Sequence, residues 1–140
     1  MKNEMQNLYY EVFGDFDPQG DNFFAAKFAV SILAMDGRFD DLANLLTDGH
    51  PVGALEGCPG WSIERRDSRA SGPARGYEDW PDGKSYRAYV DPDEFSLGHP
   101  EVFLNASVFN DLVKRVVIYY SRNENSIPCP LIHVRALIAL

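Results

Sequence analysis

The chain has 140 residues, 21 Asp and Glu against 13 Lys and Arg, and a formal net charge of −8. That length fits one domain, and 45% hydrophobic with 13% aromatic content fills a core without metal or disulfide staples. The acidic balance argues against general nucleic-acid binding, where phosphates need a basic face, and against an anionic membrane surface.

In chain order, Asn7–Phe13 reads as a short helix, with Leu8, Tyr9, Val12 and Phe13 at helical spacing and Gly14 as its stop. Residues 15–22 are turn-forming by composition. Asp21 or Asn22 caps a strong helix over Phe23–Met35, whose apolar stripe is Phe24, Phe28, Ile32 and Met35. A third helix over Phe39–Thr47 turns Phe39, Leu42, Leu45 and Leu46 inward and Asp40, Asp41 and Asn44 outward. Asp48-Gly49 and His50-Pro51 end it.

Gly49 to Gly60 is rich in Gly and Pro and reads as loop. Trp61–Arg66 alternates, with Trp61, Ile63 and Arg65 on one face. Asp67–Gly76 reads as a surface loop, and residues 79–83 as a tight turn. Lys84–Asp91 is a second strand, with Tyr86, Ala88 and Val90 alternating against Arg87, Tyr89 and Asp91. Pro100–Leu104 is a short third strand. Asn105 or Ser107 caps a long helix over Ala106–Arg122. Its buried face is Phe109, Leu112, Val113, Val116 and Tyr120. In the apolar tail, Leu131–Leu140, the β-branched start suggests a strand while Arg135–Leu140 suits a helix, and the segment leans towards helix. Helices, then strands, then helix predict an α+β fold. It has N-terminal helices, a small, mainly antiparallel sheet of about three strands, and a long C-terminal amphipathic helix, all in one domain over 1–140.

The charge is lopsided. Residues 1–60 hold ten acids and three bases, and residues 61–140 hold eleven acids and ten bases. The first stretch therefore carries −7 of the total and the second −1. A one-signed field speeds encounter with a partner of opposite sign. The acids singled out are Asp36, Asp40, Asp41 and Asp48 around the third helix. A second patch is Asp79, Trp80 and Asp82, a turn Trp between acids that is expected to be exposed and to anchor on a basic surface. No basic region followed by an apolar run opens the chain, so no signal peptide is expected. No apolar stretch reaches the roughly 20 residues of a membrane span. A soluble intracellular protein with reduced cysteines follows as the expectation.

No sequence motif assigns chemistry, a cofactor or a metal. Asp15-Phe-Asp17-Pro-Gln19-Gly20 imitates the start of an EF-hand loop, but its twelfth position is Ala26 rather than the bidentate Glu. It reads as an Asp-rich turn and helix cap. His50, His99 and His133 are dispersed, and His133 reads as a core histidine. Cys58 and Cys129 lie beside prolines without CxxC spacing. There is no GxSxG elbow and no phosphate-binding glycine loop. The carboxylate groups Asp40/Asp41, Asp79/Asp82 and Asp91/Asp93/Glu94 sit at a helix start, a turn and a strand end, where solvated acids are common. Arg65, Arg66, Arg69 and Arg75 form the one basic cluster, and read as balancing acids of this chain or a partner's carboxylate.

The chain is similar to the small acidic immunity proteins of bacterial polymorphic-toxin and contact-dependent growth inhibition systems. The residues that carry this are the acidic helical N-terminal half, the strand Trp61-Ser-Ile-Glu-Arg65, the block Tyr86–Leu97, and His99–Leu104 leading into the long helix. The resemblance implies a cytoplasmic, non-catalytic protein that binds one cognate toxin domain, often a basic nuclease, and blocks its active site or substrate surface. It carries over no site residue. Two other readings stay open. A small hydrolase or transferase would show a deep pocket holding His99 or His133 beside two acids. An adaptor or structural subunit would show an exposed apolar patch on Leu131–Leu140.

Overall fold

A computed structural model of the chain describes residues 2–58, 60–67, 80–123 and 129–138. Helix α1 (Lys2–Phe13), α2 (Phe24–Met35) and α3 (Phe39–Leu46) precede strands β1 (Ala54–Gly57), β2 (Trp61–Arg65), β3 (Tyr86–Val90) and β4 (Glu101–Leu104). Helices α4 (Ala106–Asn123) and α5 (Cys129–Leu137) follow. This is the expected α+β class.

The strands form one antiparallel sheet in the order β1-β2-β3-β4. It has four strands rather than three, because Ala54–Gly57, expected as loop, is a strand. Four residues flanked by glycine carry too little pattern to show a strand in sequence. The pairing with β2 makes it one, Leu55 opposing Ile63 and Gly57 opposing Trp61. The turn between them closes by Gly60 N–H donating to the Gly57 carbonyl, with Gly60 at φ +87°.

The helices cover one face of this sheet. Trp61, Ile63, Tyr86, Ala88, Val90 and Leu104 point into the core. Helix α2 packs on the sheet and against helices α1, α3 and α4, and α3 also touches β1 and β2. Ten of its twelve residues are buried, so the expected single stripe becomes an almost wholly apolar circumference. Met35, assigned to that stripe, is only partly buried. Helix α2 begins at Phe24 with Phe23 at its N-cap and no side-chain cap, so neither Asp21 nor Asn22 caps it as expected. Asp21 instead accepts the Phe23 N–H at 2.9 Å and pairs with Lys27, ordering the turn that leads into the helix. The cap expected of Asn105 on α4 does form, its side chain accepting the Val108 N–H at 2.8 Å. Phe109, Leu112, Val113, Val116 and Val117 bury the inner side of α4. Helix α1 begins at Lys2, earlier than its apolar spacing predicts, and Gly14 ends it at φ +89°. The tail leaning to helix forms α5, which packs on α3 through Leu131 and Val134.

Arg65 is the exception to apolar inward alternation. Its strand position points it into the core, and it is 3% exposed. Beneath it lies the C-terminal turn of α3, where carbonyls lack helical partners. Its guanidinium donates to the carbonyls of Asn44, Leu45, His50 and Val52. Arg65 therefore fastens β2 to the end of α3 and to the chain that leads into β1.

Candidate interaction surface

Asp36, Asp40 and Asp41 come together at the corner where α2 passes into α3. Gly37, at φ +70°, turns the chain there. Asp36 and Asp40 are exposed. Asp41 is half-buried and accepts from Arg38 Nε at 2.7 Å. The Arg38 guanidinium in turn lies 5.8 Å from the ring centroid of Trp61. Both Asp40 and Asp41 occupy the first turn of α3, where the helix dipole favours acids. Asp48 is exposed beyond the opposite end of this eight-residue helix. With Arg65, Arg66 and Tyr86 it lines a concavity of about 270 Å³. The acids expected around α3 thus divide between its two ends, and Asp48 shares its surroundings with arginines.

The second expected patch is rearranged. Trp80 is buried at 9% exposure, its ring meeting Phe103 edge-on at 5.2 Å, so it is no exposed anchor. Phe103 stands on the outer face of β4 and offers Trp80 an apolar neighbour that the local sequence does not reveal. Asp82 is exposed on the turn before β3. Asp79 lies outside the described residues, as do Arg69 and Arg75 of the basic cluster.

The face of the sheet away from the helices was missed as a surface. In register across it, one row runs Ala54, Glu64, Arg87, Phe103 and the next Glu56, Ser62, Tyr89, Glu101. Arg87 bridges two strands at once, reaching Glu64 at 3.2 Å and Glu101 at 2.7 Å. It also lies 5.4 Å from the Tyr89 ring centroid. Two concavities indent the β1–β2 side. One, of about 480 Å³, is lined by Glu56, Gly57, Cys58, Gly60, Trp61, Ser62, Tyr89 and Asp91. The other, of about 330 Å³, is lined by Ala54, Leu55, Glu56, Ser62, Ile63 and Glu64. The alternation in β2 and β3 already put Ser62, Glu64, Arg87 and Tyr89 on one side. What the sequence lacked was β1 and the pairing order.

The remaining motifs resolve structurally. Asp17 accepts the Gly20 N–H at 3.1 Å and Gln19 donates to the Ser96 carbonyl at 3.0 Å, so the EF-hand-like segment is a turn docked on the loop after β3. Among the described residues, no three His, Cys, Asp or Glu side chains are placed to hold a metal ion. His50 Nδ1 accepts the Val52 N–H at 2.9 Å. His99 is exposed, and so is His133, contrary to the core position expected of it. Leu131 and Val134 define the inner side of α5 and leave His133 pointing outward. Neither histidine lines the concavities described above. Cys58 is a free, exposed thiol. Among the described residues, no helix is long and apolar enough to cross a membrane.

Two ionisable groups around Arg65 are shifted. Partial burial works to raise the Asp67 carboxyl, but hydrogen bonds from Arg65 and from the Gly49 N–H outweigh it and hold the group below its ordinary range. Burial pushes the Tyr86 phenol up, with Arg65 opposing. Comparison with family models, with curated proteins and with solved structures finds no match to this chain.

Proposed function

We propose that this chain is an immunity protein: a cytoplasmic, non-catalytic inhibitor that binds a basic toxin domain, a nuclease being the apt class, and covers its active or substrate-binding surface. The observation that carries the reading is how charge is distributed in the first 60 residues. The two bases there whose side chains are described, Lys27 and Arg38, are each engaged by an acid of the same segment, Asp21 and Asp41. Glu11, Asp15, Asp17, Asp36, Asp40 and Glu56 stay exposed. Local pairing therefore does not cancel the excess. A nuclease presents a basic surface to phosphate, and an acidic inhibitor of that surface gains association rate at low salt.

The test is co-expression with the product of the adjacent reading frame, the reading expecting that product to end in a basic domain. Restored growth and a stoichiometric complex support the reading. Failure to bind or protect against that domain, together with turnover of a small substrate by the purified chain, overturns it. Within a complex, Asp36→Lys with Asp40→Lys should slow association and flatten its salt dependence.

A second reading, an adaptor docking through α5, is favoured by one observation. Ile132 is 52% and Leu137 39% exposed on a helix that buries Leu131 and Val134.

A further inference from the structure

Among the described residues, the helices cover one face of the sheet and Trp80 covers the β4 end of the other against Phe103, while the β1–β2 part of that outer face carries more carboxylates than bases. Among the residues paired in the four strands, Glu56, Glu64 and Glu101 stand on that face with the guanidinium of Arg87. Arg87 is committed to Glu64 and Glu101. Glu56, on the short strand β1, lies across the larger concavity from Asp91, with Ser62 and Tyr89 between them. The smaller concavity shares Glu56 and Ser62, so the relief continues along the β1–β2 hairpin towards Glu64. Below, the frame is rigid: Trp61 is 1% exposed and donates its indole N–H to the Cys58 carbonyl at 3.0 Å.

We infer that the outer face of the sheet, centred on Glu56, Ser62, Tyr89 and Asp91, is the docking surface for a basic protein, and that an arginine side chain of that partner seats between Glu56 and Asp91. The inference rests on the proposed function and deepens it by naming the contact surface. The exposed acids of α2 and α3 then guide approach, and the sheet face makes the contact. Arginine suits the place because a guanidinium pairs with carboxylates through several donors at once and also packs against an aromatic ring. Tyrosine and arginine are the residue types in which binding energy concentrates at interfaces.

The probe is a capped hexa-arginine peptide, titrated into the full ¹⁵N-labelled chain at low salt and followed by amide shifts. The expected result is saturable shifts centred on Glu56, Ser62, Tyr89 and Asp91. Glu56→Lys with Asp91→Lys should weaken binding by at least about tenfold, since like charges across a contact are strongly unfavourable. Tyr89→Ala, which leaves the charge unchanged, should weaken it by about two- to fivefold, the scale of an exposed cation–ring contact. The neutral pair Glu56→Gln and Asp91→Asn keeps the fold within reach if the lysine variants unfold, and should weaken binding in the same direction. Shifts confined to Asp36–Asp41, with the sheet amides still, overturn the inference and leave the basic-partner reading standing. An absence of shifts on either surface also overturns it, while the co-expression assay decides the function independently.

Discussion

Arg65 Nε donates to Asp67 Oδ1 at 2.6 Å, a pair formed where β2 leaves the sheet. The same guanidinium serves two carbonyls of α3 and two of the segment that follows it. Removing a buried charge of this kind leaves its acceptors without donors, at a cost of about 3–5 kcal/mol. Arg65→Met should therefore lower the urea-unfolding free energy at neutral pH by that amount. Arg65→Lys should recover only part, because an ammonium cannot reproduce the planar fork. A loss below about 1 kcal/mol in Arg65→Met would show that β2 and α3 are held together by packing alone.

The same pair sets a pH dependence. Arg65 and the Gly49 N–H hold the folded Asp67 carboxyl below its ordinary value of 3.8. Its contribution is complete above the unfolded value and is lost as pH falls through the lower, folded one. The stability gap between the natural chain and Asp67→Asn should be constant from neutral pH down to about 5 and close on further acidification. Denaturation series across that window measure it. A gap that widens below pH 4 would mean that the carboxylate is not the form the fold prefers.

The helices were legible because each is long and periodic. Phe39 and Leu42, or Phe109, Leu112 and Val116, repeat at the spacing of one helical face and are buried together. Strands β2 and β3 were legible from alternation, but Arg65, read with the basic cluster, is instead buried and held by backbone carbonyls and Asp67. Strand β1 was not: Ala54-Leu-Glu-Gly57 is too short to alternate visibly, and only its pairing with β2 defines it. The surface was harder for the same reason. Asp40 and Asp41 can be read as outward from one helix, but the row Glu56, Ser62, Tyr89, Glu101 exists only once four strands are in register. Trp80 was misread because its partner, Phe103, lies on a strand distant in sequence.

Two glycines are required by close approach rather than by their backbone angles. A Cβ at Gly98 would overlap the Gln19 carbonyl, where Gly98 N–H also donates to the Pro18 carbonyl at 3.0 Å. A Cβ at Gly57 would lie 2.9 Å from the Trp61 indole. Gly98→Ala should force the loop after β3 away from residues 17–20 and cost about 1–3 kcal/mol. Hydrogen exchange should rise at Gly98, whose amide loses its acceptor. Gly57→Ala should cost a similar amount by overpacking and alter the near-ultraviolet dichroism of Trp61. Unchanged melting in both variants would contradict the close contacts.

Trp80 separates two descriptions of the turn before β3. As an exposed anchor it would matter for a partner and little for the fold, and its removal would change stability by less than about 0.5 kcal/mol. Packed edge-on against Phe103 at 9% exposure, it belongs to the fold. Trp80→Ala should then cost about 3 kcal/mol, the lower end for loss of a buried Trp. Trp80→Phe should recover much of this, since an aromatic ring still meets Phe103. Phe103→Ala should destabilise as well, and the double variant should cost less than the two singles together, because the ring contact can be lost only once. Strict additivity across that cycle would place Trp80 away from Phe103 and return it to the surface.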